Sequence, residues 1–342
     1  GSRRRAAGFR AAATGAWAAL GYAGSAAEVV AGRWRADQVT DAYGNRMTLA
    51  YYEENRQVAG TSVNYNNASY LDTVTYTSHT SGTPASGYSV VFVRENRAGN
   101  EMPPWHYDWE NYDTYRLDRI DVKYGAAVVR SYDLSYSTRS YTDDSVSWQT
   151  TVLDSVAISG GGVSAPAITF TYSDMDNRGN CGAGCQEWAY PRLATISNGW
   201  GSTSTYTYGN DGRSSSHWWY NWRVEGIDVT DGVNASPMKT TFAYSTPCYN
   251  DPTNGWCNAW NTGELIGYEQ ATVTNKDFNG STTLAMQVHK FHTDEQRAGR
   301  EYETQNQSAA GTILAQTNTT YTVITGGMPT NGFFTYASAV EG

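Results

Sequence analysis

The chain has 342 residues and a formal net charge of −9, with 39% hydrophobic residues and 26 Tyr and 12 Trp among them. The acidic balance argues against a nucleic-acid interface, which needs a basic face. No run of about 18 apolar residues occurs, so no transmembrane helix is expected. Tyr and Trp with many Thr, Ser, Asn and Gly favour pleated sheet and tight turns over helix.

Residues 1–33 differ in composition from the rest of the chain. They are rich in Ala and carry Arg3, Arg4, Arg5 and Arg10 near the front. A basic start, the apolar AAATGAWAAL and small residues at Ala23–Ala27 resemble an export signal, with a twin-arginine flavour at Arg3-Arg4. A short Ala-rich helix or a disordered leader reads equally well.

From Trp34 the pattern turns strand-like. Residues 34–172 form a first β region, and residues 173–342 a second. In the first, WRADQVTDAYGNRMTLAYYEE reads as strand, Tyr43-Gly44-Asn45 turn, strand, with Met47, Leu49 and Tyr51 alternating. Tyr70–Tyr76 and Tyr88–Arg94 come next, then a polar aromatic loop broken at Pro103-Pro104. Tyr115–Tyr136 predicts a hairpin about Tyr124-Gly125. Its second arm alternates Tyr132, Leu134, Tyr136 against Ser131, Asp133, Ser135. In the first arm Leu117 is out of phase with Ile120 and Val122, which predicts a bulge or mixed exposure. Val152–Ile158, a Gly160-Gly161-Gly162 turn and the alternating Ile168, Phe170 and Tyr172 complete this region.

The second region continues with Leu193–Ile196, an Asn198-Gly199 turn and Ser202–Tyr208, then with strands at Arg223–Thr230, Lys239–Tyr244, Gly267–Thr274, Ala285–Phe291 and Leu314–Val323. No segment after residue 33 has convincing 3.6-residue spacing. So many strands require several sheets or one long winding sheet.

The four cysteines form two local pairs, Cys181/Cys185 and Cys248/Cys257, each bracketing a turn-rich loop. Two small disulfides in an exported protein are the first reading. A four-thiolate zinc site is the second, although the intervals of three and eight residues within the pairs are not ligand knuckles. Free thiols are the third.

Candidates for chemistry are sparse. His289 and His292, with Asp294 and Glu295, would suit a metal only if their side chains converged. On a strand an i, i+3 pair faces opposite ways, which favours a solvated loop. His217 beside Trp218 reads as an ordinary member of an aromatic cluster. Glu53-Glu54 and Asp143-Asp144 are adjacent, so their side chains diverge and no pair shares a substrate. SDMDNRGN (173–180) lacks the closing acid of a calcium loop and reads first as an Asx-rich turn. No serine sits in a nucleophile elbow, and no phosphate loop or dinucleotide fingerprint occurs. No catalytic residue, metal or cofactor is therefore assigned, and the chain is not expected to be an enzyme. The best binding candidate is the aromatic set Trp218, Trp219 and Trp222. Exposed, it would be a platform for sugars or protein partners; buried, it is filler or shell lining.

One phrase recurs: a turn with Gly, then a short strand ending in Tyr. It appears as DAYGNRMTLAYY (41–52), ISNGWGSTSTYTY (196–208) and, degenerately, AGREYETQNQSAAGTILAQTNTTY (298–321), at irregular intervals. These resemble degenerate YD repeats. YDLSY (132–136), LDSVAI (153–158) and ITFTY (168–172) resemble the pattern ahead of the repeats in RHS-type polymorphic toxins, in the related Tc toxin B component and in SpvB-like secreted proteins. YPRLATISNGWGSTSTYTY (190–208) is similar to a segment of the same group. The resemblance covers roughly residues 34 to 325 in scattered patches.

It implies an all-β fold, a curved, winding antiparallel sheet of successive hairpins forming a YD-repeat shell. It also implies a bacterial protein, secreted or at the cell surface, that encloses or presents a C-terminal effector or meets a partner toxin subunit. The repeats are poor, and the C-terminal self-cleaving core of the family is absent, so a piece of a non-catalytic shell is expected. The alternative is an extracellular module that binds carbohydrate or a cell-surface glycan.

Overall fold

The computed structural model describes residues 8–13, 16–17, 30–31, 34–57, 62, 64–83, 86–97, 114–143, 146–176, 189–210, 221–245, 247–251, 255–258, 264–324 and 334–341. Every regular element among them is a strand. The strands divide between two compact units, residues 1–140 with 146–167, and residues 141–145 with 168–342.

The first unit opens with β1 (Gly8–Ala13), β2 (Ala16–Trp17) and β3 (Val30–Ala31). Next come β4 (Trp34–Thr40), β5 (Asn45–Gln57), β6 (Asn64–His79), β7 (Tyr88–Asn96) and β8 (Tyr115–Tyr124). β9 (Ala127–Asp143), β10 (Val146–Gly160) and the start of β11 (Val163–Asp176) finish it. The composition of the Ala-rich start suggests helix or leader, yet Gly8–Ala13 is strand, paired antiparallel with β4. Alanine's helix preference amounts to only tenths of a kcal/mol per residue, less than a row of strand hydrogen bonds supplies.

The second unit holds the rest of β11, then β12 (Ala189–Ser197), β13 (Thr203–Asn210), β14 (Trp222–Thr230) and β15 (Met238–Tyr244). A small three-stranded sheet interrupts it, built of β16 (Pro247–Asp251), β17 (Gly255–Asn258) and β18 (Glu264–Tyr268). The unit ends with β19 (Gln270–Lys276), β20 (Thr283–Phe291), β21 (Glu301–Ser308), β22 (Ile313–Ile324) and β23 (Phe334–Glu341). Among the described residues, eighteen of the strands belong to one antiparallel sheet, most pairing with their neighbours along the chain (β1 pairs with β4 and β15 with β19), a run of successive hairpins as the sequence predicts.

Among the described residues, the extensive contacts run between hydrogen-bonded neighbouring strands, with β2 against β6 as an exception. Among them, too, the buried apolar side chains are only Val152, Cys248, Tyr249 and Val288. Every residue of β12, β14 and β19 is half-buried, so neither face is dry. β11 differs: Ile168, Phe170 and Tyr172 are half-buried and Thr169 and Thr171 exposed, the expected alternation. The hairpin at Tyr124-Gly125 is present, with Gly125 at φ +57°. The break at Leu117 is a bulge: Val93 faces Arg119 and Arg94 faces Leu117, leaving Asp118 without a partner across that ladder.

Candidate functional site

The recurrent tyrosine has a fixed structural role. Among the described residues, five hairpins end in the same arrangement. The phenol hydroxyl of Tyr51 donates to the carbonyl of Ala36 at 2.8 Å, and that of Tyr136 to Leu117 at 2.5 Å. Tyr208 donates to Leu193 at 2.8 Å, Tyr244 to Val224 at 2.8 Å and Tyr321 to Glu301 at 3.0 Å. In every case the residue before the acceptor is arginine: Arg35, Arg116, Arg192, Arg223 and Arg300. Four of these guanidinium groups stand over the ring itself, at 5.5 Å for Arg35, 4.4 Å for Arg116, 5.1 Å for Arg223 and 5.7 Å for Arg300.

The residue after the acceptor is just as regular. Strand registers skip Asp37, Asp118, Ala194, Glu225 and Tyr302, so each is a bulge residue two places beyond its arginine. The same skip occurs at Asp72 and Ser338 on β6 and β23. A bulge bends its strand and re-aims side chains. Here it shifts the register by one residue immediately after the acceptor, which itself stays paired in the ladder. The polar hydroxyl is satisfied by backbone while the ring takes the cation, so the clasp is a packed, hydrogen-bonded unit that needs no second layer. Burial pushes the Tyr136, Tyr208 and Tyr244 hydroxyls above the ordinary phenol range, and pushes the Arg192 guanidinium down.

Turn residues complete the unit. Asp41 takes the amides of Tyr43 and Asn45. Asp231 takes those of Val233 and Asn234, Asp277 those of Ser281 and Thr282, and Asn198 those of Trp200 and Ser202.

No protein-family model matches the chain, and no curated protein matches it. Among solved structures, the chain is similar to the crystal structure of TcdB2-TccC3 without its hypervariable C-terminal region, at 7% identity and a TM-score of 0.42, covering 85% of this chain and 33% of that one. It is also similar to the crystal structure of TcdB2-TccC3, at 14% identity and a TM-score of 0.24, covering 84% of this chain and 16% of that one. The chain thus spans about a third of the length of the first of these.

Of the residues singled out from the sequence, Cys181, Cys185, Trp218 and Trp219 lie outside the described residues, as do His106, His217 and Asn177–Asn180. Cys257 is on the backbone of β17. Cys248, on β16, is disulfide-bonded, 1% exposed, and has its sulfur 3.7 Å from the Thr293 carbonyl oxygen. Trp222 is half-buried at the start of β14, and its indole N–H donates to the Asp176 carbonyl at 2.9 Å.

His289 and His292 do not converge. The Nδ1 of His289 meets Glu301 at 2.6 Å, which also accepts the Thr304 hydroxyl. His292 packs its ring on Tyr302 and Tyr321, and burial, then the nearby Arg297, lower its pKa. Among the described residues no cluster of His, Cys, Asp and Glu is arranged to hold a metal ion. Glu53 accepts the Ser69 hydroxyl, whereas the buried Glu54 accepts those of Tyr70 and Thr114, so this acidic pair is divided as its adjacency requires.

The sequence pattern points to the tyrosines but not to the arginines. Their signal is Arg-x followed 15 to 20 residues after x by Tyr. Variable turn lengths hide it from a search for a fixed period.

Proposed function

We propose that this chain is a structural, non-catalytic wall segment of a secreted bacterial toxin-like protein of the RHS/YD-repeat type, which encloses or presents a C-terminal effector or meets a partner toxin subunit. The observation that carries the reading is the long antiparallel sheet of hairpins, five of which, among the described residues, are closed by a tyrosine hydroxyl on the carbonyl that follows an arginine. A module with a dry core has less need of such clasps. A wall with two wetted faces needs them, because each hairpin must be locked from within the sheet. The tyrosine-rich, aliphatic-poor composition suits that role, since a phenol packs its ring while its hydroxyl meets polar groups.

Among the described residues nothing in the geometry favours the carbohydrate-binding alternative. Trp222, the described member of the tryptophan set, is engaged with the Asp176 carbonyl. The test is the flanking open reading frame, together with an activity screen. Further Arg-x…Tyr hairpins followed by a variable domain are expected, with no turnover of glycosides, esters or nucleic acids by the purified chain. A neighbouring polysaccharide-degrading domain, or turnover lost on changing one carboxylate or serine, would sink the reading.

A further inference from the structure

Within the first unit, β5 and β8 stand three strands apart, with β6 and β7 between them. In a flat sheet that separation is about 14 Å. Yet at one end the two strands meet. The hydroxyl of Thr114, one residue before β8, donates to the buried Glu54 of β5 at 2.5 Å. Beside this bond the hydroxyls of Tyr52 and Tyr115 lie 3.5 Å apart, with their ring centroids 5.6 Å apart. The sheet is rolled here, and two phenols and a carboxylate make the closure.

The cluster is held from two sides. Arg94 stands 4.2 Å from the Tyr52 ring and pairs with Asp72 at 2.7 Å. Tyr70 of β6 packs its ring 5.6 Å from that of Tyr115, but its hydroxyl is directed to Glu54. Tyr244 and Tyr268 offer a comparison: their rings are closer, at 4.9 Å, yet their hydroxyls serve the Val224 carbonyl and Arg223. Phenol hydroxyls that meet bring the flanking ring carbons near one another, and those carbons are where phenoxyl radicals couple.

We propose that Tyr52 and Tyr115 are a modification site, joined as dityrosine by a one-electron oxidant of the peroxidase class with hydrogen peroxide as terminal acceptor. Each phenol gives up one electron and one proton. The two phenoxyl radicals form one carbon–carbon bond between positions ortho to the oxygens. The hydrogens on those two carbons then move to the oxygens, restoring both hydroxyls and both aromatic rings. The two electrons and two protons released reduce one hydrogen peroxide to two waters. Tyr52 is 36% exposed, so the oxidant reaches it. The product would staple β5 to β8 covalently, in a sheet with few buried apolar side chains among its described residues. The inference rests on this local closure and not on the shell reading, so either can fail without the other.

The test treats the full chain with a haem peroxidase and hydrogen peroxide at high dilution. Dityrosine fluorescence and tandem mass spectrometry of the digested monomer are the readouts, with circular dichroism as the check on folding. A cross-linked peptide joining Tyr52 to Tyr115, two hydrogens lighter than the sum of its parts, is expected. Tyr52→Phe and Tyr115→Phe should each abolish it. Tyr70→Phe, which keeps its ring and loses only the bond to Glu54, should retain it. Absence of the 52–115 peptide from the oxidised monomer, its persistence in either of the first two variants, or a Tyr244–Tyr268 link in its place would overturn the proposal. Cross-links confined to dimers would do so too.

Discussion

At Tyr244 the hydroxyl meets the Val224 carbonyl, the ring lies under Arg223, and a second ring, Tyr268, stands 4.9 Å away. Arg223 also donates to the Tyr268 hydroxyl at 2.9 Å. Removing the hydroxyl leaves a half-buried carbonyl without its partner. Tyr244→Phe should therefore lower the unfolding free energy by about 1 kcal/mol. Arg223→Met, which keeps the stem and removes the cation, should cost about 1 kcal/mol. Because the two groups touch, a double-mutant cycle by urea denaturation should give a coupling of about 0.5 kcal/mol. A coupling of zero would mean that the guanidinium and the phenol act separately and that no clasp exists.

Turns carry the hairpins at the scale of the element. The Asp231 carboxylate is held below the usual carboxylate range by the amide of Asn234, then that of Val233, and by the Asn234 side chain. Asp41 is lowered chiefly by the Asn45 side chain, and Asp277 by the Thr282 amide. A carboxylate lowered on folding stabilises above its unfolded pKa, near about 4, and that contribution is lost as pH falls through the lowered value. The thermal midpoint should therefore drop as the solution is acidified through this range. With Asp41, Asp231 and Asp277 all changed to Asn, the acid limb should be shallower, because an amide oxygen still accepts the turn bonds but no longer titrates. Superimposable acid limbs for the two proteins would remove these turns from the account. Glycine serves one of them sterically as well: Gly232 has φ +78°, and a methyl there would lie 3.0 Å from the Gly201 backbone.

For the molecule as a whole, a sheet with so few buried apolar side chains among its described residues has little apolar burial to stabilise it, so cross-links and clasps gain weight. The inserted three-stranded sheet buries Cys248 and Tyr249 to 1% exposure each, beside the loop after β20. We expect bonds within the local pairs, Cys248 with Cys257 and Cys181 with Cys185, each closing a short loop and stabilising by at most about 3 kcal/mol. Non-reducing peptide mapping checks the pairing, and denaturation with and without reductant checks the magnitude. Cross-links between the two pairs, or free thiols in protein made under oxidising conditions, would count against it.

The class of structure lay in the sequence: alternating residues and Gly-Asn turns can be satisfied only by antiparallel hairpins. Tyr115–Tyr136 and Ile168–Tyr172 were legible because a period of two is a local property of the strand. The bulge at Asp118 was legible for the same reason, as a phase break at Leu117. The partner of each tyrosine came from tertiary structure alone. Tyr136 and Leu117 are 19 residues apart, and Tyr208 and Leu193 are 15 apart. The turn between them sets that interval freely, so only the strand register reveals that the same arginine, carbonyl and phenol meet each time. Cys248 obeys the same rule. Its local spacing suggested a bond, but its burial against the Thr293 carbonyl depends on a contact across 45 residues that no pattern in the chain encodes. Likewise Gly8–Ala13 became a strand because β4 offered it an edge, a fact external to its own composition.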